Sequence, residues 1–222
     1  NHLPLTYFWT QTGGASMSFT PNLSVTTFTA PGSATILTFT LIVTDAHNLP
    51  SLPKQVVITI ADLPITSLSA ANSSPTVLGA PTFFTTTQAG GTGVSYTWNF
   101  GDGLGIGSGA NPNYTYSSIG TYTATVTATN VVNQLVTTTQ VIVGVPISGL
   151  LAANSSPTFA GSSTALTATI TAGTNVAYQW NFGDGGTGSG ANTSHVYGTP
   201  GNYTAMVTAT NLFGSQVATT TV

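Results

Sequence analysis

The residues able to do acid, base or metal chemistry are few in this sequence. Its 222 residues include four acids, three His and a single Lys, with neither Glu, Arg nor Cys. Paired carboxylates could hydrolyse a glycosidic bond only if two acids shared one cleft. Asp102 and Asp184 stand at the same place in two copies of one motif, so we expect them to lie a whole domain apart. The sequence therefore predicts no catalytic carboxylate pair.

The sequence also contains too few suitable residues for a metal site or for a nucleophilic catalytic site. Calcium takes roughly six to eight oxygen ligands, and no second acid lies close in sequence to Asp102 or Asp184. Without Cys, no thiolate can bind zinc. His2 and His47 have no Ser and Asp partners placed as in a triad, so we expect both in exposed loops. We predict no catalytic residue, no bound metal and no cofactor.

Both of these Asp residues lie in a six-residue motif that occurs twice. Residues 98–103 read Trp-Asn-Phe-Gly-Asp-Gly, and residues 180–185 repeat the motif letter for letter. Ahead of each copy, large side chains alternate with polar ones, which puts the large ones on one face of a strand. Gly-Asp-Gly then ends the strand, because the glycines tolerate positive φ and the carboxylate can accept hydrogen bonds from backbone N–H groups. We assign two tight turns, formed by Gly101, Asp102, Gly103, Gly183, Asp184 and Gly185.

The same alternation predicts the core. A Trp that shares its parity with neighbouring Tyr and Phe residues should point inward, whereas a Trp that stacks on a sugar would lie on the opposite face. A Tyr near the start of the penultimate strand often bonds back to a neighbouring loop, which also favours a structural role. The predicted core residues are Trp9, Trp98, Phe100, Tyr122, Trp180, Phe182 and Tyr203.

Internal repeats divide the chain into three units. Residues 63–144 and 145–222 are close copies, each with an entry segment, a Thr-rich strand, the Trp strand, a loop and two closing strands. Residues 1–62 follow the same order from Trp9 onward, but the two strands that precede the Trp strand in the copies are missing. Helical periodicity is absent, and the many β-branched residues favour strands. We predict an all-β protein of three tandem antiparallel β-sandwiches, the first lacking its N-terminal strands.

The motifs of the two copies resemble one family. Residues 178–185 read Tyr-x-Trp-Asn-Phe-Gly-Asp-Gly, and they are followed by His-Val-Tyr at 195–197 and Val-Thr-Ala-Thr-Asn at 207–211. This combination resembles the polycystic-kidney-disease-type (PKD) repeat over residues 63–222. His195 aligns with Tyr114 in the other copy. Since the family often carries His before the Tyr at this position, the resemblance implies that His195 packs at the start of a strand.

The first unit resembles a more distant PKD-like variety, in which Trp9-x-Gln11-x-x-Gly14 replaces the Gly-Asp-Gly turn. The resemblance implies an immunoglobulin-like sandwich of the kind found in bacterial and archaeal surface proteins. Spacer, adhesive and filament-forming roles outside the cell follow from it, as do accessory roles in secreted hydrolases. It implies no catalysis by the repeat itself.

The surface must be built almost without charge. Charged residues make up 2% of the chain, where about a quarter is typical of soluble domains. Without a cluster of Lys and Arg, we expect neither nucleic acid nor an anionic membrane surface as a partner. No apolar stretch reaches the length of about 18 residues that a membrane helix needs, so we expect no membrane insertion. Thr-rich strands that lack guarding charges favour association, and we predict a secreted or cell-surface protein that self-associates into a polymer.

Two accounts of the incomplete first unit remain open. Its missing strands should expose core side chains such as Trp9 and Phe39. Another subunit could cover them by strand addition, giving a head-to-tail polymer; alternatively, the sequence is a window of a longer repeat array whose upstream strands cover them. Either makes the chain part of a surface filament, sheath or stalk without enzyme activity. The alternative function is a carbohydrate- or collagen-binding accessory region of a secreted hydrolase or adhesin, with an extracellular polysaccharide as partner.

Asn-x-Ser/Thr sequons supply candidate glycosylation sites, and glycans on them would hydrate a surface that lacks charge. Two of the sequons stand in equivalent positions of the two copies, directly before a Pro. The candidate acceptors are Asn22, Asn72, Asn113, Asn154, Asn192 and Asn202.

Overall fold

The computed structural model describes residues 4–222. All the regular secondary structure within that range consists of β-strands. The all-β prediction is therefore confirmed. His2 lies outside the described residues, so its predicted loop position stays a prediction. The strands form several sheets whose neighbours are mostly antiparallel, as the alternating Thr-rich sequence predicts.

The N-terminal sheet contains three antiparallel strands in the order β1-β2-β3. They are β1 (Thr6–Gly13), β2 (Thr35–Thr44) and β3 (Lys54–Ile60). The alternation along β2 buries Leu37 and Phe39 on the inner face. The Trp strand lies beside the penultimate strand here as in the later repeats, but the opposing sheet has no counterpart before residue 63 in the described part of the chain.

The long loop between β1 and β2 covers part of this inner face. Phe19 and Phe28 lie against Phe39, with ring centroids 5.3 and 5.4 Å apart. The indole Nε1 of Trp9 donates to the carbonyl oxygen of Leu23 at 3.1 Å. The expectation that Phe39 is exposed is therefore wrong, because the loop supplies aromatic rings where a second sheet would otherwise stand.

The middle repeat consists of a three-stranded sheet, β4-β6-β9, and a five-stranded sheet, β5-β11-β10-β7-β8. In β10, Ala124, Val126 and Ala128 are buried and alternate with Thr side chains. The strands are β4 (Ile65–Asn72), β5 (Thr76–Val77), β6 (Pro81–Gly90), β7 (Ser95–Asn99), β8 (Ile106–Ser108), β9 (Asn113–Thr115), β10 (Gly120–Thr129) and β11 (Gln134–Gly144).

The third repeat has the same two-layer arrangement, with sheets β12-β13-β16 and β15-β14-β17-β18. Its core joins Leu166 of one sheet to Trp180, Phe182 and Val207 near the other. The strands are β12 (Leu151–Asn154), β13 (Ser163–Thr169), β14 (Ala177–Asn181), β15 (Thr187–Ser189), β16 (Asn192–Val196), β17 (Thr204–Asn211) and β18 (Gly214–Thr221).

The residues form two compact units, and the division runs through the middle repeat. One unit includes the N-terminal sheet together with Thr87–Thr97 and Val126–Thr137. The other includes Ala70–Thr86, Trp98–Thr125 and the third repeat. The boundaries predicted from the sequence, 1–62, 63–144 and 145–222, therefore stay a prediction.

Candidate functional site: the Gly-Asp-Gly corners and the strand surfaces

The carboxylate of Asp102 is the centre of a hydrogen-bonded corner just after β7. Its Oδ1 accepts from the backbone N–H groups of Leu104 and Gly105, at 3.0 and 2.9 Å. Its Oδ2 accepts from the hydroxyl of Tyr114 at 2.6 Å. A residue of β9 is thereby tied to the turn that follows β7, although the two belong to different sheets.

The third repeat builds the same corner with a different donor. Asp184 accepts from the backbone N–H of Gly186 at 2.9 Å, and its Oδ2 lies 2.6 Å from Nε2 of His195. The His195 ring stacks on Phe182 with centroids 4.2 Å apart, as Tyr114 stacks on the corresponding Phe of the middle repeat. His195 thus takes the place of a Tyr in both the stacking and the hydrogen bond.

The first Gly of each corner is required by two conditions at once. Gly101 and Gly183 have φ values of 83° and 86°, in the left-handed region that L side chains rarely adopt. A Cβ atom on Gly101 would lie 2.3 Å from the carbonyl oxygen of Thr123, and one on Gly183 would lie 2.6 Å from that of Thr204. The chain passes so close to the penultimate strand that no side chain fits.

Both carboxyl groups are held ionised by their donors. Burial alone would raise the pKa of Asp102, but the hydrogen bonds from Tyr114, Gly105 and Leu104 outweigh it and lower the pKa below 3.8. The hydrogen bond from His195 is the main cause that lowers the pKa of Asp184 below the same value. A general acid or base needs a pKa near the working pH. These carboxylates are therefore suited to accepting hydrogen bonds and poorly suited to moving protons at neutral pH.

The exchange of Tyr for His indicates what the corner can do chemically. The hydrogen bond to Asp102 raises the pKa of Tyr114 above 10, so this phenol stays protonated and cannot act as a base at neutral pH. The task that Tyr114 shares with His195 is to hold the carboxylate and the turn. Among residues 4–222, no group of three or more His, Cys, Asp or Glu side chains could hold a metal ion.

The indoles of the two repeated motifs are enclosed. Trp98 and Trp180 are each 2% exposed, and each Nε1 donates at 3.1 Å to a backbone carbonyl oxygen, that of Gly109 or Gly190. Neither ring presents a face to solvent for stacking on a sugar. Phe100 and Phe182 are likewise buried.

Three of the predicted core residues are only half-buried: Trp9, Tyr122 and Tyr203. The hydroxyl groups of the two tyrosines reach the surface, where they donate to the carbonyl oxygens of Ser118 and Thr199, at 2.8 and 2.9 Å. Trp9 lies in a sheet that a loop covers incompletely. These three residues therefore lie at the margin of the core in which they were predicted, and the two tyrosine hydroxyls bond back to a loop as expected.

Sequence reasoning missed the two tyrosines that close the core beneath the corners. Tyr116 and Tyr197 are buried, and their hydroxyls donate to the carbonyl oxygens of Phe100 and Phe182, at 2.8 and 3.1 Å. Each stands two residues after the aligned pair Tyr114 and His195, and this constant spacing was a usable signal. The alternation rule did not detect it, because these residues lie at or just beyond the end of short strands.

An Asn at the end of the penultimate strand fastens the entry of each repeat. Nδ2 of Asn211 donates to the carbonyl oxygens of Val145 and Thr174, both at 3.0 Å. Asn130 makes the corresponding two bonds in the middle repeat, at 2.7 and 3.1 Å. From the sequence, these two Asn residues could be predicted to end strands, but their hydrogen bonds to the entry segment could not be predicted.

The inner face of the N-terminal sheet keeps an apolar cavity of about 230 Å³. Its apolar lining residues are Trp9, Val25, Phe28, Phe39, Val56 and Ile58. Val56 is 40% exposed although it lies on the face that carries Phe39. The loop therefore leaves part of this face uncovered.

A family model for the PKD domain matches residues 67–143 and 150–222, which together make up more than half of the chain. The chain therefore belongs to the PKD-domain family, and it carries at least two such domains in tandem. PKD domains are typically extracellular, non-catalytic modules with an immunoglobulin-like β-sandwich fold. Along residues 4–222, no helix has the length and apolar character needed to cross a bilayer.

Solved structures with similar folds are built from immunoglobulin-like or fibronectin-like modules. The N-terminal four Ig domains of Dscam1 isoform 4.44 align at 11% identity with a TM-score of 0.45, covering 99% of this chain and 65% of that one. Titin domains A168-A170 align at 13% identity and a TM-score of 0.43, covering 98% and 86%. The fibronectin(III)-like modules of Clostridium thermocellum CbhA align at 15% identity with a TM-score of 0.35, covering 68% of this chain and 92% of that one. The chain thus spans about two thirds of the Dscam1 fragment, and likenesses at this level carry no inference about function. No curated protein sequence matches the chain.

Proposed function

We propose that this chain is a non-catalytic structural protein, whose tandem β-sandwich modules form part of an extracellular filament, sheath or stalk by associating with one another. Membership of the PKD family supports the extracellular location. The observation that carries the proposal is the incompletely covered apolar face of the N-terminal sheet.

The complete repeats indicate what such a face requires. In the middle repeat, Phe84 of β6 packs on Trp98 and Phe100, with centroids 5.0 and 5.1 Å apart. In the N-terminal sheet no strand covers the equivalent face within the described residues, and the cavity beside Val56 remains. Removing apolar side chains such as these from water contributes about 25 cal/mol per Å², which opposes the entropy lost when two modules associate. We propose that a β-strand of another module covers this face by strand addition.

The outer strands also favour association. Val57 on β3 and Val217 on β18 are each 58% exposed, and Lys54 is the single Lys of the whole sequence. Natural sheets usually guard their edges with charged side chains, particularly Lys. Lys54 stands at the start of β3, whereas β18 contains no charged residue. The edge of β18 in particular therefore offers open backbone groups and apolar side chains to a neighbouring copy.

Sedimentation and negative-stain electron microscopy of the purified chain at rising concentration test the proposal. We expect polymers in the unchanged protein and their loss in Val56→Lys, which puts a charge into the cavity. Val131→Lys, which adds the same charge to an exposed Val in the turn between β10 and β11, serves as control and should still polymerise. Monomers at all concentrations, or equal behaviour of the two variants, would contradict strand addition at this face.

A pull-down on insoluble polysaccharides and on collagen separates this function from an accessory role in a secreted hydrolase or adhesin. The enclosed rings of Trp98 and Trp180 supply no stacking platform, so we expect no saturable binding. Reproducible saturable binding would favour the accessory role over the structural one.

A further inference from the structure

We propose that Asn113 and Asn192 carry N-linked glycans, and that Asn72 and Asn154 carry none although they stand in sequons of the same type. The inference deepens the proposed function, since it rests on an extracellular location. It concerns the atom to which the sugar is attached, the side-chain amide nitrogen Nδ2, and whether that atom is free in the folded protein.

The amide of Asn72 is fully engaged inside the middle repeat. Its Nδ2 donates to Oγ1 of Thr139 and to the carbonyl oxygen of Gln140, both at 2.8 Å. Its Oδ1 accepts from the backbone N–H of Ser74 at 2.8 Å. Both hydrogens of the nitrogen are thus in use, and they tie the end of β4 to β11.

The hydroxyl that completes this sequon is engaged as well. Oγ of Ser74 accepts from the backbone N–H of Ile142 at 2.6 Å and lies 3.3 Å from the carbonyl oxygen of the same residue. A glycosyltransferase that needs a free Asn72 amide and a free Ser74 hydroxyl finds neither group free in the folded repeat.

Asn154 repeats this arrangement in the third repeat. Its Nδ2 donates to Oγ1 of Thr220 and to the carbonyl oxygen of Thr221, at 2.7 and 2.8 Å. Its Oδ1 accepts from the N–H of Ser156 at 2.7 Å. The equivalent positions of the two sequons are therefore explained by a structural clamp, and glycosylation is not needed to account for them.

Asn113 and Asn192 are placed in the opposite way. Each is exposed, and no side-chain hydrogen bond engages either amide among the described residues. The residues that complete their sequons, Thr115 and Ser194, are exposed too. Asn22 and Asn202 are also exposed and lie in loops outside the strands, so by the same criterion of a free amide they stay candidate acceptors.

The two acceptors lie on corresponding strands without being aligned. Asn113 begins β9 and Asn192 begins β16, and these are the outermost strands of the sheets β4-β6-β9 and β12-β13-β16. In the repeat alignment that pairs Tyr114 with His195, however, Asn113 pairs with Ser194 and not with Asn192. Each repeat therefore places its own sequon at the same sheet edge.

A glycan at this edge would do what charge does in other proteins. Sheet edges pair with one another unless charge, Pro or bulk prevents it, and neither of these strands contains an Asp, Glu, Lys or Arg. A hydrated sugar on Asn113 or Asn192 would block pairing at the sheet edge formed by β9 or β16, and it would leave the other edges and the N-terminal sheet free to associate.

Mass spectrometry of the protein purified from its source cells tests the proposal. Because the chain has a single Lys and no Arg, pepsin replaces trypsin for digestion. We expect glycopeptides that contain Asn113 and Asn192, and unmodified peptides that contain Asn72 and Asn154. A missing glycan at Asn113 or Asn192, or a glycan at Asn72 or Asn154, would overturn the proposal.

Variants and cell fractionation complete the test. In the source cells, Asn113→Gln and Asn192→Gln should each reduce the mass of the intact protein by one glycan, whereas Asn72→Gln should leave the glycan mass unchanged. Immunoblotting of surface and cytosolic fractions separates the two claims. A surface protein without glycans contradicts only the glycosylation, while a cytosolic protein contradicts the extracellular function itself.

Discussion

At the scale of single residues, the Gly-Asp-Gly corner is a device that fixes a turn through one carboxylate. Its acceptor, its backbone donors and its glycines are adjacent in sequence, so the turn could be predicted from the motif alone. The side-chain donor could not, because Tyr114 and His195 lie on a strand of the other sheet and only the fold brings them to the carboxylate. The alignment of Tyr114 with His195 was visible in the sequence, but the hydrogen bond that each makes to the Asp of its own corner was not.

Removing the charge of one corner should weaken the middle repeat moderately. We expect Asp102→Asn to lower the free energy of unfolding by about 1 kcal/mol, since the hydrogen bonds are charge-assisted but partly exposed to solvent. Urea denaturation followed by Trp fluorescence measures the change. Tyr114→Phe should lower the free energy of unfolding by less than Asp102→Asn does. The double variant should lower it by less than the sum of the two single losses. Additive effects would contradict a direct bond between the two side chains.

Acid should remove the contribution of the corners. Because the pKa of Asp102 in the folded protein lies below its ordinary value of 3.8, its contribution to stability is fully present above that value and is lost as the pH falls through the folded pKa. Urea midpoints should therefore differ between the unchanged protein and Asp102→Asn at pH 7 and converge in strong acid. A difference that grows as the pH falls would contradict the sign of this shift.

The two glycines of the middle corner provide a matched test of close packing. Both have positive φ, 83° for Gly101 and 78° for Gly103, so Ala costs about 1–2 kcal/mol in backbone strain at either position. Only at Gly101 would the added Cβ also meet backbone, at 2.3 Å, whereas Gly103 faces open space. Gly101→Ala should therefore destabilise clearly more than Gly103→Ala in thermal unfolding. Equal losses would show that the close approach to Thr123 is not rigid.

At the scale of elements, alternation in the sequence predicts strands and their buried faces well. Tyr122-x-Ala124-x-Val126 forms a strand with two fully buried positions, as a period of two requires. The loop between β1 and β2 could not be predicted in the same way. Its contacts with Phe39 depend on a face that no opposing strand covers within residues 4–222, and no local pattern in the loop sequence indicates this.

The Asn clamp between β4 and β11 should matter far more than an exposed Asn. In unglycosylated protein, Asn72→Ala removes a side chain that serves as donor twice and as acceptor once, and we expect a loss of about 1–3 kcal/mol. Asn113→Ala, at an exposed position, should stay within about 0.5 kcal/mol. Chemical denaturation of both variants measures the difference. Comparable losses would contradict the structural role assigned to Asn72.

At the scale of the whole molecule, the repeated motifs predicted tandem PKD-type β-sandwiches, and the family match at residues 67–143 and 150–222 confirms them. A sequence with 2% charged residues has few means to catalyse a reaction or to bind polyanions. What covers the N-terminal sheet could not be predicted. The cavity beside Val56 and Ile58 shows that residues 4–222 leave part of this face uncovered, and no pattern in the sequence identifies an occupant.

Electron cryomicroscopy of filaments or sheath material isolated from the surface of the source cells tests the central claim most directly. We predict that this chain is a repeating subunit of that material, with a β-strand of a neighbouring module lying over Val56 and Ile58. Surface material that lacks the chain, or subunits in which the same cavity stays open to solvent, would contradict the account.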